Sequence, residues 1–546
     1  MLPSNIPKRF KKGDFMNTYL LITTLVIFAC ILLNRFSNRI GIPTLLAFIV
    51  LGMVFGSDGI LKIPFDNYAF AEQICSIALI FIMFYGGFGT NWKRAKSVSV
   101  KAVLLSTIGV VITCMLTGVF CHLALHISWT ESFLIGALIA STDAASVFSI
   151  LRSKKLNLKY NTASLLEVES GSNDPCAYML TVTFISIAKG SAGVSDIVVL
   201  IIKQIAFGTL FGMLIAAVSI WALRRIKFQT AGFDTIFVVG IALLSYALPS
   251  YFGGNGFLSA YIVGIVLGNV EINNKKNLVN FFDGLTGLMQ MLIFFLLGLL
   301  AFPSRLPHVI VPAFFIFLWL TLIARPVAVS LVLTPFKSKL SQQILVSWSG
   351  LRGAASIVFA IMAYLAVDTE NDIFHIVFMI VLFSILLQGS MLPFLSRKLD
   401  MIDQHSDVMK TFNDYAEEVD IQFIQLTIPD NHPWCGCKLK TLTLPPETLI
   451  VLIKRDGQNI IPNGETNILR GDVLVLSATT PDEVSGIRLV EKVIDEDDTY
   501  NNMLLSDIPR KKDEIVIMIQ RNGQVIIPNG NVRLQTGDLL VINRGI

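Results

Sequence analysis

Leu165-Leu166-Glu167-Val168-Glu169-Ser170-Gly171-Ser172-Asn173-Asp174-Pro175 lies inside an apolar run over residues 161–188. On a helix, Ser170 and Asp174 are one turn apart on one stripe, and Glu169 and Asn173 occupy the neighbouring stripe. Two carboxylates, an amide and a hydroxyl therefore share one side. Pro175 has no N–H and clashes with the carbonyl of Gly171, which frees an oxygen beside Asp174. Ionisable groups at membrane depth cost several kcal/mol and usually mark a pathway. An oxygen-rich pocket built around Asp174 suits a hard monovalent cation.

The surrounding sequence supplies the membrane. Of 546 residues, 53% are hydrophobic and 15% charged, with a mean hydropathy of +0.67. An ordinary globular domain carries about 25% charged residues. A disordered, fibrous or simple soluble chain is excluded. Apolar runs long enough for a bilayer recur at 17–34, 42–57, 70–89, 99–124, 132–151, 161–188, 195–223, 232–249, 256–270, 281–301, 307–335, 343–366 and 372–396. Loops after odd-numbered runs hold 18 Lys and Arg, and those after even-numbered runs hold 3. Cytoplasmic loops accumulate such residues, so the alternation predicts thirteen crossings with a cytoplasmic C-terminal tail. Lys8, Arg9, Lys11 and Lys12 then fall on the wrong side, unless the chain starts at Met16 or the first run is not a full crossing. Residues 1–396 carry a charge of +11 and the remainder −7. The basic residues lie in short loops, which is no nucleic-acid footprint.

Two more runs contain polar breaks. Ala140-Ser141-Thr142-Asp143-Ala144-Ala145-Ser146 is rich in residues that prefer caps to helix interiors. It predicts a broken helix with Asp143 capping the second half, the arrangement that transporters use at mid-membrane. Ser349-Gly350-Leu351-Arg352-Gly353-Ala354-Ala355-Ser356 is the second break. Arg352 is expected to neutralise Glu169. Arg325 precedes Pro326 and reads as a structural group at a kink, while Ser146 and Ser356 read as glue between helices. Five of the seven cysteines sit in apolar runs, and Cys435-Gly-Cys437 lacks a second ligand pair, so neither a metal nor a cofactor is expected. No nucleophile constellation or phosphate loop suggests an enzyme.

Ser-Thr-Asp at 141–143, Glu-Ser-Gly-Ser-Asn-Asp-Pro at 169–175 and Gly-Leu-Arg-Gly at 350–353 resemble the monovalent cation:proton antiporter superfamily. The Asn-Asp pair resembles its sodium(potassium)/proton exchanger branch, generally electroneutral. The resemblance covers roughly residues 17–396. It implies an all-α polytopic domain of about thirteen transmembrane helices in an inverted repeat, an elevator-like movement and a homodimer in a bacterial inner membrane. By it, Asp174 binds a proton or the cation (K⁺ or Na⁺), and Asn173, Ser170, Asp143 and Thr142 complete the site. Glu169 and Arg352 match the ion pair that holds the core together. Tyr85 stands where relatives often have an acid before paired glycines, so a cation contact from that run loses its carboxylate.

The tail repeats itself. Residues 450–464 recur as 516–530, and Gly471-Asp472 as Gly537-Asp538, at an offset of 66. About sixteen of sixty positions are identical. Each copy splits β-branched runs with Asp-Gly or Asn-Gly, a hairpin signal. The copies resemble the TrkA C-terminal (RCK C-terminal) domain, which implies two tandem α+β ligand-sensing modules. The division is then 1–396 transmembrane, 397–415 linker, 416–481 first module and 482–546 second. A cyclic dinucleotide or another small ligand is the partner that resemblance suggests, with Arg455, Asn463, Arg521 and Asn529 as candidate contacts. The alternatives to an antiporter are an RCK-gated cation channel, against which the absence of a Thr-Val-Gly-Tyr-Gly filter argues, and a membrane sensor that moves nothing.

Overall fold

The structure is a computed structural model. It describes residues 24–33, 44–154, 156–190, 193–226, 232–270 and 275–403. In the tail it describes 421–429, 432–442, 448–455, 458–479, 489–495, 498–508, 514–521, 524–526 and 530–544, together with the single positions 21, 230, 272, 444 and 528. The N-terminal basic cluster and Met16 lie outside the described residues. The chain divides into two units, Met1–Ala416 and Glu417–Ile546.

The first unit is helical. Its helices are α1 Thr24–Leu33, α2 Thr44–Phe55, α3 Tyr68–Gly89, α4 Ser99–Leu125, α5 Trp129–Leu138, α6 Ala144–Ser153, α7 Thr162–Ala188 and α8 Val194–Arg225. There follow α9 Phe233–Tyr251, α10 Gly256–Gly268, α11 Lys275–Leu300, α12 Leu306–Phe336, α13 Leu340–Trp348, α14 Ala354–Ala366 and α15 Ile373–Lys398. Among the described residues, each apolar run falls on a helix or a pair of helices. By length and composition, seven of the described helices can cross a membrane. Within α8's most apolar stretch only 17% of residues are buried, so this helix presents its hydrophobic surface outward, as a lipid-facing element does.

Both expected breaks are present. α5 gives way to α6, and α13 to α14, through short extended segments. The segments cross: Asp143 N–H donates to Leu351 C=O at 2.7 Å. Three other helices are interrupted more gently, by π turns at Leu105–Gly109 in α4, Leu320–Ala324 in α12 and Ser384–Gly389 in α15. The turn in α12 directly precedes Arg325-Pro326, where the proline nitrogen cannot close an α-helical bond. Pro175 sits inside α7, and the Asn255 side chain donates to its carbonyl at 2.8 Å.

Close backbone packing ties α3 to α10 and α2 to α11. A Cβ at Gly264 or Gly268 would overlap the carbonyl oxygens of Phe84 and Phe88, and one at Gly52 or Gly298 would overlap those of Phe295 and Ile49. Small residues four apart permit this approach where lipid offers helices no hydrophobic drive to associate. Residues 399–403, the start of the segment read as a linker, pack onto the loop before α7. Met401 is fully buried, and Lys159 N–H donates to its carbonyl at 2.8 Å.

The second unit contains two antiparallel four-stranded sheets. β1 Ile421–Thr427, β2 Leu449–Arg455, β3 Gln458–Ile460 and β4 Val473–Thr479 form one, in the order β1-β4-β2-β3. β5 Leu489–Val493, β6 Glu514–Arg521, β7 Gln524–Ile526 and β8 Leu539–Arg544 form the other, in the order β5-β8-β6-β7. Each sheet carries a bulge at equivalent places, Ile450/Leu452 and Val516/Met518. Ile453 and Leu474 centre one core, Ile519 and Leu540 the other. Among the described tail residues the elements are strands and one 3₁₀ turn, with no α-helix of the kind an α+β module implies. The apolar residues come in short runs of four or five, rich in β-branched side chains, between turn signals, which is a strand pattern.

Candidate ion-binding site

Ser170 Oγ donates to Thr142 C=O at 2.8 Å and accepts from Ala144 N–H at 2.9 Å, so one hydroxyl clamps the two backbone groups flanking Asp143. Asn173 Nδ2 donates to Thr142 Oγ1 at 2.6 Å. α7 therefore holds the break between α5 and α6 from the side. Asp143 Oδ1 accepts from Ser146 N–H at 3.2 Å and Oδ2 accepts from Ser146 Oγ, the expected cap on α6. The cap places a carboxylate group at a helix N-terminus, where the helix dipole favours it. Ser146 thus serves its own helix rather than gluing two together. Ser356 Oγ is buried and makes no hydrogen bond.

The two stripes of α7 do different work. Ser170 and Asp174 face a cavity of about 640 Å³ that Ser141, Thr142, Asp143 and Gly353 also line. Asp174 is 6% exposed, and its Oδ1 has no hydrogen-bond partner. Ser141 lies within hydrogen-bonding reach of the same carboxylate. Glu169 and Asn173 turn away from the cavity into the protein, and both are fully buried.

One expectation is corrected. The direct partner of Glu169 is Arg325, Nη2 to Oε1 at 2.5 Å, and not Arg352. Arg352 instead donates from Nη1 to Ser141 C=O at 2.6 Å, and its backbone N–H donates to Ser384 Oγ at 3.0 Å. The physical reason lies in the break. It carries the Arg352 guanidinium across to the carbonyl end of α5, where a cation is favoured, while α12 brings Arg325 against α7. Arg325 is 2% exposed, so the residue read as a kink group neutralises the buried carboxylate.

The cavity also has residues that the sequence reading passed over. Asp283, Thr286, Gly287 and Gln290 of α11 line it, beside Tyr85 of α3, which the sequence marks only as a position without its acid. Tyr85 Oη donates to Asp283 Oδ1 at 3.3 Å. Their signal in the sequence was a polar spacing of three and seven along an apolar helix. Nothing there indicated that α11 would line the same cavity as Asp174.

In the tail, Arg455 makes a two-pronged pair with Asp472, Nε to Oδ1 and Nη2 to Oδ2, both at 2.8 Å. Arg521 and Asp538 repeat this at 2.7 Å. Both carboxylates are fully buried, and their arginines hold them below the usual carboxylate range. These arginines, expected at a ligand, pin each sheet internally. Asn463 Oδ1 accepts from Glu465 N–H at 3.0 Å and so shapes a turn. Asn529 lies outside the described residues.

Residues 23–398 match the family described as sodium/hydrogen exchanger, transmembrane, and residues 423–484 match the TrkA-C domain. The K(+)/H(+) antiporter NhaP of Alkalimonas amylolytica is 34% identical over 477 residues, spanning 86% of this chain and 83% of that protein. The K(+)/H(+) antiporter NhaP2 of Shewanella sp. (strain ANA-3) is 35% identical over 470 residues, 85% of this chain and 81% of that one. The fold matches the sodium proton antiporter MjNhaP1 from Methanocaldococcus jannaschii at pH 8, with a TM-score of 0.61 at 24% identity, covering 70% of this chain and 99% of that one. Two crossed helix breaks beside a buried, half-partnered carboxylate, on a chain whose helical unit matches along nearly its whole length, admit one assignment: the chain belongs to the sodium/hydrogen exchanger family.

Proposed function

We propose that this chain is a secondary antiporter that exchanges a monovalent cation for H⁺ across a bacterial inner membrane, with K⁺ favoured over Na⁺. The observation that carries this reading is Asp174: nearly buried, one oxygen without a partner, on the wall of a cavity large enough for a partly hydrated ion. The relatives named as K(+)/H(+) antiporters support the ion and the exchange. One carboxylate can hold a proton or a cation but not both. The empty, charged carrier is costly to move through a low-dielectric region and the loaded one is not, so the two fluxes are coupled at one charge for one charge. Thr142, Asp143, Ser170 and Asn173 shape the oxygen lining around that charge.

In the same reading each of the thirteen apolar runs is one crossing, the two broken runs included, and the protein is an inverted-repeat homodimer. The Lys and Arg excess puts the C-terminal end of α3 and the N-terminal end of α11 on the cytoplasmic side, so the cavity opens inward. The tail is cytoplasmic, and its two sheets are two tandem TrkA-C-type modules that sense a small ligand, with boundaries near 416–481 and 482–546.

The test is a pH-gradient assay in proteoliposomes with K⁺, Na⁺ and Li⁺ at several pH values. The unmodified chain moves protons on cation addition, with K⁺ most effective. Asp174→Asn abolishes the signal, and retained exchange in that variant would refute the assignment.

A further inference from the structure

We propose that Asp283 and Tyr85 form a second cation station on the α3–α11 wall of the cavity, where the ion loads before it reaches Asp174. The inference rests on the antiport reading above and names a further residue set for that reaction.

The cavity comes first. Among the described residues it is lined by four acids, Asp143, Glu167, Asp174 and Asp283, and by no lysine, arginine or histidine. A concave site of one sign concentrates the opposite ion. Three of these acids come from the α5/α6 break and α7. Asp283 alone comes from the other wall.

That wall is organised. Asp283, Thr286 and Gln290 stand at i, i+3 and i+7 on α11, which places them along one helical face. All three line the cavity, with Gly287 between them. The Asp283 carboxylate accepts from Tyr85 Oη at 3.3 Å, and the Tyr85 ring stacks on Phe282 at 6.4 Å between centroids. Phe282 is fully buried, so it fixes where the phenol points. Thr286 Oγ1 is buried without a hydrogen-bond partner. Buried polar atoms in proteins are seldom left unpaired. Asp174, 6% exposed, has its Oδ1 unpaired on the same cavity. The two walls thus offer oxygen atoms whose pairing the protein does not complete.

The chemistry of the set is carboxylate, phenol, hydroxyl and amide oxygen. One negative charge among neutral oxygens suits an alkali cation that keeps part of its water, and repels anions. At about 30 Å³ per water the cavity has room for on the order of twenty waters. An ion held at Asp283 therefore remains largely hydrated. Its dehydration is completed at Asp174 and the crossing backbone. Asp283 in this scheme sets the concentration at which the carrier fills, and Asp174 sets whether exchange occurs at all.

The test uses full-length protein in proteoliposomes, with K⁺ and Na⁺ titrated separately. Asp283→Asn is expected to raise the cation concentration for half-maximal exchange roughly tenfold, the effect of removing one attractive charge at a wet site, with the maximal rate within twofold. Tyr85→Phe keeps the ring against Phe282 and shifts the same constant by about threefold. The double variant Asp283→Asn with Tyr85→Glu returns a carboxylate to the other end of the same contact and restores the half-saturation value. A half-saturation value unchanged in both single variants, or a loss confined to the maximal rate, overturns the proposal. An unmodified chain that moves no protons on cation addition overturns the antiport reading itself, and Asp174→Asn separates the two failures, since only that variant abolishes exchange while Asp283→Asn leaves it running.

Discussion

Gly353→Ala adds one methyl group at the crossing of the two helix breaks. The backbone there has φ −143°, a value open to any L-residue, so the glycine is not needed for conformation. It is needed for space. A Cβ built on Gly353 overlaps Asp143 Oδ2 and comes to 2.5 Å from Asp143 Cβ and 2.6 Å from Cγ, whereas ordinary contact begins near 3.4 Å. The Asp143 side chain must therefore recede by about 1 Å. It has little freedom to do so. Its N–H is tied to Leu351 C=O at 2.7 Å, and its two oxygens cap α6 through Ser146. Losing that cap costs about 1 kcal/mol, which lowers the thermal midpoint in detergent by no more than about 4 °C. The functional cost is larger. A displacement of about 1 Å in a preorganised site costs up to about 100-fold in rate. Initial rates of cation-driven proton movement in proteoliposomes measure it, with the midpoint as a control for folding. A Gly353→Ala protein that exchanges at the unmodified rate would show that Asp143 is free to yield, and the crossing would then not position the site.

Arg325→Met removes the direct partner of the fully buried Glu169 and is expected to destabilise the protein by about 3–5 kcal/mol; adding Glu169→Gln should recover most of the thermal midpoint, whereas an unaltered midpoint in the single variant would contradict the pairing. Arg455→Ala strands the buried Asp472 carboxylate and should loosen the first sheet by about 3 kcal/mol, seen as faster limited proteolysis of the tail in the intact protein, with Arg521→Ala acting in the same way on the second sheet. Because their arginines hold Asp472 and Asp538 below the ordinary carboxylate range, the stabilisation is complete above about pH 4 and is lost as pH falls through the depressed values. Protection of the β4 and β8 amides, relative to their intrinsic exchange rate at each pH, should therefore fall only below about pH 4, and a loss of protection between pH 5 and 7 would mean that other groups govern the tail.

Much of this architecture was legible in the residues. Bilayer thickness demands long apolar runs, so the helices of the first unit announce themselves by composition alone. The breaks at 140–143 and 349–353 were legible because Ser, Thr, Asp and Gly disfavour helix interiors for local reasons. The hairpins of the tail follow from Asp-Gly and Asn-Gly between β-branched runs, and the offset of 66 reappears as two sheets of the same strand order. Periodicity could not supply a helix for the tail, and none stands among its described residues.

Partnership was different. Glu169, Arg325 and Arg352 are three buried charges on three distant segments, and the sequence, which sets Arg352 against Glu169, does not reveal that Arg325 is the arginine that touches it. Which arginine does so depends on how α12 packs against α7 and where the second break carries Arg352, and both are set by contacts between helices far apart in the chain. The same holds for Asp283, which lines one cavity with Asp174 although the two stand on helices far apart in the chain. Local preference, hydrophobic length and turn chemistry act over a few residues, and the sequence alone determines what they determine: the membrane-spanning class, the breaks, the repeated tail and the carboxylate at Asp174. Which side chain meets which across the cavity is a matter of tertiary packing, because it is decided by the shapes of surfaces that no single segment contains.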